Sequence, residues 1–348
     1  IGRRATEYVK EQITMMKTLE EKGYTYATKD GIYFDTSRFP AYGALGGIDL
    51  AGLQAGARVE MVDGKKNPTD FALWKFSPKD NTQREQEWNS PWGIGFPGWH
   101  IECSAMSRAL LGKRIDIYTG GIDHIPVHHN NEIAQSECSS GEPFVNYWMH
   151  NEFITINGNR IGKSEGNAIT VRELISKHID PLALRYFFLT SHYRSQTNFT
   201  YEALEAAHTA LTRLRHAYEE SRSDTRTGKI LPSYAHKMRL ALYSDLNTSQ
   251  VISVVWHLVK NSRLKKSDVR ATLEYADTIL GLSLSKTQDP VVIPEHIQQL
   301  VAQRDIARNN KNWPLSDSIR AEIESNGYTV LDTNSGTKVV HRVSPTLS

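Results

Sequence analysis

The sequence predicts an α/β protein with a parallel sheet, followed by a long helical region and a small mixed end. Three observations carry this expectation. Helical and strand-like text alternate from Trp99 to Ile156, the pattern of α/β units around a parallel sheet. From Thr170 to Trp313 the text is helical with only two breaks. Beyond it, one more helix precedes two strand-like pieces. A length of 348 residues suits two or three domains, and 39% hydrophobic with 23% charged residues suits a folded chain. The 41 Lys and Arg against 39 Asp and Glu leave a net charge of +2, so any basic surface must be local.

The elements follow in order. Val9, Ile13 and Met16 share a helical line beside Leu19, and Gly23 supplies the stop. Asp30-Gly31 between Tyr24–Tyr26 and Ile32–Phe34 reads as a hairpin. Residues 35–89 are irregular and polar with short strand-like pieces such as 57–62, and read as an α+β appendage outside the main core. A glycine- and aromatic-rich stretch, 91–99, leads into a helix whose apolar face is Ile101, Ala105, Met106 and Ala109, ended by Gly112. A strand at 115–118, a helix near 128–136 and strands ending at 153–156, with Asn157-Gly158 as a turn, complete the α/β part. Thr170 and Glu173 fit a capping box, and Asp180-Pro181 a helix start. Breaks fall near 223–233 and 285–290. A helix from Leu315 to Asn326, stopped by Gly327, precedes strands at 328–331 and 338–340 around an Asn334-Ser335-Gly336 turn. No run of about 18 apolar residues predicts a membrane span. Two cysteines, Cys103 and Cys138, cannot build a disulfide framework, so a reducing cytoplasm is the expected location.

Four constellations can carry chemistry. His128 and Glu132 lie four apart on one helix face, with Cys103 on the preceding helix; thiolate, imidazole and carboxylate together suit zinc. The spacing alone is common on solvated helices, and His100 and His129 are equally available imidazoles. Gly120-Gly121-Ile122-Asp123 at a strand end permits close backbone approach to a ligand and offers a carboxylate to ribose hydroxyls. The basic loop from Asn159 to Asn167, with Arg160 and Lys163, can bring an ammonium and backbone N–H groups to phosphates, though it lacks Walker spacing. Arg304, Arg308, Lys311, Trp313 and Arg320, with Asp317 and Asp332, can bind single-stranded nucleic acid by charge and stacking, as can any charged amphipathic helix.

Several runs tie these together. Pro97-Gly98-Trp99-His100-Ile101-Glu102-Cys103, His128-His129-Asn130-Asn131-Glu132, Tyr147-Trp148-Met149-His150 and His192-Tyr193-Arg194-Ser195 resemble the cysteinyl-tRNA synthetase family. Residues 53–59 and 67–75 resemble its insertion, Asp245-Leu246-Asn247-Thr248 its helical bundle, and 302–305, Trp313 and 316–320 its anticodon domain. The resemblance covers essentially the whole chain. It implies the second half of a class I Rossmann-like catalytic domain with an α+β insertion, a helical bundle and a small mixed C-terminal domain. The expected divisions are 1–90 (insertion), 91–165 (catalytic half), 166–198 (stem-contact segment), 199–289 (bundle) and 290–348 (anticodon domain).

The resemblance further implies ATP-dependent activation of L-cysteine and transfer to tRNA(Cys), with one Zn2+ per subunit and ATP–Mg2+ as substrate, in a monomer without membrane contact. Cys103, His128 and Glu132 become the zinc ligands, and Trp99 packs near the substrate side chain. Gly121 and Asp123 fall in the adenylate stretch. Residues 160–164 align with the lysine-bearing phosphate loop that the family writes Lys-Met-Ser-Lys-Ser. Here it reads Arg160-Ile161-Gly162-Lys163-Ser164, with Lys163 and Arg160 as the catalytic cations. Arg308, Trp313, Asp317 and Asp332 occupy anticodon-reading positions. The family's His-Ile-Gly-His motif and its fourth zinc ligand, a cysteine, do not occur in these 348 residues. The expectation is therefore an N-terminally incomplete chain, inactive alone and poor at binding zinc. Competing readings are a ligase joining cysteine to a small amine, a non-catalytic tRNA-binding paralogue and a zinc hydrolase.

Overall fold

The computed structural model describes residues 2–48, 64–78, 85–162, 169–177, 179–286, 293–333 and 336–341. Lys163, the strand-like piece at 57–62, the 53–59 run and the Asn334-Ser335 turn lie outside the described residues. The chain divides into two units, residues 1–151 and 152–348.

In the first unit, α1 (Val9–Glu21) ends where Gly23 takes a left-handed φ of +77°. β1 (Thr25–Ala27) and β2 (Gly31–Phe34) form the expected hairpin, pairing Ala27 with Ile32. β2 continues antiparallel to β3 (Phe71–Phe76), and β3 to β4 (Gly95–Pro97). β3 carries no strand pattern in its sequence, because Phe71-Ala72-Leu73-Trp74 does not alternate: both faces of the strand are covered, so no polar positions mark its period. Phe71, Leu73 and Trp74 are buried with Met16, Leu19, Phe34, Ile101 and Ala134 in one apolar cluster. Residues read as an appendage thus supply part of this unit's core.

α2 (Trp99–Leu111) is ended by Gly112 at φ +96°. Ile101 and Ala105 are buried as expected, but Ala109 is exposed, because the last turn of α2 runs past the cluster it packs on. β5 (Ile115–Gly121), α3 (Asn130–Ser140) and β6 (Val145–Asn151) form a parallel βαβ unit, with Ile117 opposite Tyr147 and Gly120 opposite His150. A 3-10 turn, Ile122–His124, and a π-type turn, Ile125–His129, join β5 to α3 in place of a plain helix start, so His128 and Glu132 bridge the π-type turn and α3.

In the second unit, β7 (Ile154–Ile156) pairs antiparallel with β8 (Asn159–Arg160) across Asn157-Gly158, both at positive φ as a two-residue hairpin turn requires. β7 also pairs parallel with β9 (Thr197–Phe199), a strand too short to carry a pattern. Between them lie α4 (Val171–Ser176), with its Thr170/Glu173 capping box, and α5 (Pro181–Leu189), capped by Asp180. The bundle helices are α6 (Tyr201–Ser221), α7 (Pro232–Tyr243), α8 (Thr248–Val259) and α9 (Lys266–Leu280). Their apolar faces share one core with α5 and Phe199. α10 (Glu295–Asn309), α11 (Trp313–Ser325) and the antiparallel hairpin of β10 (Tyr328–Thr333) and β11 (Gly336–His341) enclose a separate small core around Ile297, Ile319 and Ile323.

Candidate active site

The first unit gathers its chemistry on the helix-covered face of the β5–β6 pair. Strand alternation turns Tyr118, Trp148 and His150 toward the helix-side face, where the π-type turn brings His129 and α3 brings Glu132 to meet them. Donor atoms of Cys103, His128 and Glu132 lie within 4.8 Å of one another. The nearer carboxylate oxygen of Glu132, Oε1, sits 3.7 Å from His128 Nε2 and accepts a 2.7 Å hydrogen bond from the Tyr118 hydroxyl. The other, Oε2, is buried and accepts no hydrogen bond among the described residues; its closest cation-forming neighbour is His129 Nε2 at 3.8 Å.

An unpaired buried carboxylate is expensive. Burial pushes Glu132 up to about 8 and the Cys103 thiol up to about 12, with Glu132 the next contributor for the thiol. Burial likewise holds His128 down to about 4 and His100 and His129 to about 3, so these imidazoles are neutral ligands or acceptors at physiological pH. A soft sulfur donor, a neutral imidazole and a carboxyl with an orphaned oxygen, the first and last of which a metal would deprotonate on binding, form a donor set that fits a divalent zinc ion.

The neighbouring imidazoles are not interchangeable. His100 Nδ1 lies 2.8 Å from His128 Nδ1, and His129 Nδ1 lies 2.7 Å from His150 Nε2. Each pair shares one proton, and the partner fixes which nitrogen of the facing ring stays open toward Glu132. The sequence left His100, His128 and His129 as equal options; this geometry separates them into a ring in the donor set, a ring behind it and a ring anchored to β6. His124, His150 and Tyr118 were not singled out, and only their tertiary contacts identify them. Cys138 packs in the apolar cluster, outside the donor set.

Trp99 opens α2 and is 60% exposed, its ring 4.4 Å from that of His128 and 5.9 Å from that of His124. It forms an aromatic wall beside the donor set. At the carboxyl end of β5, the side chains of His129 and His124 approach Gly120 so closely that a Cβ there would lie 2.5 Å from His129 Cε1. Asp123 folds back over Gly121, where a Cβ would lie 2.4 Å from its Oδ1. Both glycines are needed for close approach, and they leave exposed Asp123 at the strand end where α/β sheets bind ligands.

The remaining predicted residues lie in the second unit. Arg160 is exposed on β8. Arg308 and Asp332 are brought together at 2.9 Å, and buried Arg304 makes two further bonds to the same carboxylate, at 2.8 and 3.1 Å. Trp313 and Asp317 are exposed near the start of α11.

The class of protein to which this parallel βαβ unit belongs is given by comparison with known proteins: it is the catalytic domain of a class I aminoacyl-tRNA synthetase. The family model described as tRNA synthetases class I (C) catalytic domain matches residues 1–209. The chain is 46% identical over 338 residues to cysteine–tRNA ligase 1 of Burkholderia lata, covering 97% of this chain and 71% of that one. It is 40% identical over 355 residues to the cysteine–tRNA ligase of Caldicellulosiruptor saccharolyticus, with 97% and 75% covered. To that of Clostridioides difficile it is 39% identical over 356 residues, with 96% and 75% covered. Among solved structures, the LeuRS–tRNA–LeuAMS ternary complex of Agrobacterium radiobacter K84 is 14% identical at a TM-score of 0.42, covering 59% of this chain and 34% of that one, a likeness too slight to argue from. The chain belongs to the cysteine–tRNA ligase family, enzymes of the class I synthetase type. Among the described residues, no helix is long and apolar enough to cross a membrane.

Proposed function

We propose that this chain carries the cysteine-selecting and tRNA-reading parts of a cysteine–tRNA ligase, with Cys103, His128 and Glu132 holding one zinc ion. The observation that carries this reading is the buried Glu132 Oε2, left without a hydrogen-bond partner between a thiol and a neutral imidazole. Zinc bound there would supply a soft acceptor for the substrate's sulfur, which separates cysteine from serine because a hydroxyl is a harder and far less acidic ligand. Trp99 walls the side-chain pocket. Gly121 lets the adenylate approach the strand end, and Asp123 accepts from its ribose hydroxyls. In the activation step the cysteine carboxylate attacks the α-phosphorus of ATP and pyrophosphate leaves; Lys163, aided by Arg160, balances the charge that builds on it. Mg2+ accompanies ATP. Trp313 stacks on an anticodon base, and Asp317, Arg308 and Asp332 contact base edges.

The reading includes incompleteness of the catalytic sheet. A parallel pair is normally buried on both faces. Here Ile117 is 58% and Tyr147 71% exposed on the face away from α3, and among the described residues β5 pairs only with β6. Covering such side chains gains about 1.5–3 kcal/mol each, which supports a further layer against this face, and the two-stranded pair supports further strands along its edges, in the active enzyme. Metal analysis with cysteine and serine titration tests the zinc set: at most one zinc per chain, held weakly by three protein ligands and more tightly with cysteine than with serine, is expected. Metal-free protein under zinc-replete conditions overturns it. ATP–pyrophosphate exchange at ordinary synthetase rates by the purified chain alone overturns the incompleteness reading.

A further inference from the structure

The sequence contains two Asn-Gly pairs, Asn157-Gly158 and Asn326-Gly327, and both lie exposed at turns. An Asn-Gly pair is open to a spontaneous reaction of its own backbone. Glycine has no Cβ to shield its nitrogen, so that nitrogen can reach the side-chain carbonyl carbon of the preceding asparagine. Whether it does so depends on what holds the glycine N–H and the asparagine side chain, and here the two pairs differ.

Asn326 closes α11. Its Nδ2 donates to the carbonyl oxygen of Glu322 at 2.8 Å, and the Gly327 N–H donates to that of Glu324 at 3.1 Å. Both reacting groups are tied to carbonyls whose places are set by the helix. Asn157 sits on the β7–β8 turn at φ +50°, and no hydrogen bond of its side chain is found among the described residues. The Gly158 N–H is held by a side chain alone: it donates at 2.8 Å to Oδ1 of Asn198, an exposed residue of β9. The same Oδ1 accepts from Thr155 Oγ1 at 3.1 Å, and these two donors fix which end of the Asn198 amide faces the turn.

We propose that Asn157 is a deamidation site and that Asn198 is the guard that sets its rate. While Asn198 holds the N–H, the glycine nitrogen keeps its proton and its place in the turn. Once that bond opens, the nitrogen attacks Asn157 Cγ. A bond from the glycine nitrogen to Cγ forms, the bond from Cγ to Nδ2 breaks, and Nδ2 leaves as ammonia with the proton that the glycine nitrogen gave up. Water then adds to one of the two carbonyl carbons of the succinimide ring and breaks its bond to the glycine nitrogen. Breaking the bond to Cγ gives aspartate; breaking the bond to the main-chain carbon gives an isoaspartyl link. One water is consumed and one ammonia released, with no oxidation or reduction. Either product puts a carboxylate on the hairpin whose second strand ends at Arg160, and the isoaspartyl form adds a methylene to a main chain that must turn in two residues. The proposal needs neither zinc nor RNA bound, so it stands or falls apart from the ligase reading.

The test is peptide mapping by mass spectrometry of the purified chain held in warm, mildly alkaline buffer, with the mass gain of the NH2-to-OH exchange read at each pair. Asn157 is expected to convert to a mixture of aspartate and isoaspartate, with Asn326 lagging behind it. Asn198→Ala is expected to speed conversion of Asn157 by about 3- to 10-fold, the change that loss of one hydrogen bond brings, and to leave Asn326 unchanged. Asn198→Asp retains an acceptor and is expected to retain the slow rate. Asn326 doubles as the check on folding, since a variant that loosens the chain speeds both pairs. Asn157 converting no faster than Asn326 in the unaltered chain overturns the site. An Asn157 rate that Asn198→Ala leaves unchanged or raises together with that of Asn326, or that Asn198→Asp raises as much as Asn198→Ala does, overturns the guard.

Discussion

Two regions of the molecule bury charge-bearing groups, and they treat them oppositely. Around α10 and β10, Arg304 is 2% exposed, yet both its terminal nitrogens bond to Asp332, which also takes Arg308, while Thr337 bridges Arg304 to Asp305. The charges there are answered from within the chain, and only the Nε of Arg304 is left over. Around α3, Glu132 is fully buried with one hydrogen bond, from Tyr118, and one oxygen unanswered, amid neutral imidazoles and a thiol. A buried ionisable group left unpaired by the protein, and held neutral by its burial, is a candidate for completion by something from outside. The comparison therefore separates a carboxylate answered from within the chain from one that the chain leaves open, although the sequence presents both as scattered charged residues.

The sharpest way to break this contrast is to make each carboxylate an amide. Glu132→Gln is expected to lower zinc affinity by at least about 100-fold, or about 2.7 kcal/mol, read by chelator competition, without lowering the thermal stability of the metal-free chain. Equal zinc affinity, or a large loss of stability without metal, would make Glu132 structural after all. Asp332→Asn is expected to do the reverse. It leaves zinc binding untouched and strips the buried Arg304 of its partner, costing about 2 kcal/mol, read as faster hydrogen exchange across residues 328–341.

A smaller effect refines the ligand side. His100 sits behind His128, 2.8 Å from its Nδ1. His100→Ala frees His128 to take the wrong tautomer, and a loss of about 10-fold in zinc affinity is expected, with His100→Asn recovering part of it. An undiminished affinity in His100→Ala would show that the ring only fills space. On the open sheet face, Ile117→Lys/Tyr147→Lys is expected to lower binding of a hydrophobic fluorescent dye by the folded chain, because it breaks up the exposed apolar patch; unchanged dye binding would show that the patch is not open.

Much of the fold was legible. Gly23, Gly112 and Gly327, the Asp30-Gly31 and Asn157-Gly158 turns and the Thr170/Glu173 capping box are local devices, and each acts where its residues stand. β3 and β9 were not legible, one because both its faces are covered and the other because three residues carry no period. The exposure of Ala109 depends on where α2 leaves its neighbours, which a helical wheel does not know. In the candidate site, the residue types at 103, 128 and 132 could be read, but not the choice among three histidines. That choice is made by His150 on β6 and His100 on α2, distant in sequence from the rings they orient. Nor could the sequence say that Asp332 spends its carboxylate on Arg304 and Arg308.

The smallest expected effect concerns acid, and it probes the paired side alone. The Arg304 hydrogen bond, then the charges of Arg304, Arg308 and Arg320, hold the Asp332 carboxyl below its ordinary 3.8 despite the opposing cost of burial. A carboxyl depressed in the folded state stabilises that state above its unfolded pKa, and the contribution drains away as pH falls through the folded value. The difference in exchange protection between the unaltered chain and Asp332→Asn is therefore expected to be constant from neutrality down to about pH 5. It should shrink below pH 4 and close once the carboxyl is protonated in both states. Asp332 is partly exposed, so solvent screening keeps the electrostatic share modest. A difference that persists unchanged in strong acid would locate the stabilisation in packing, and would remove the charge-pairing half of the contrast with Glu132.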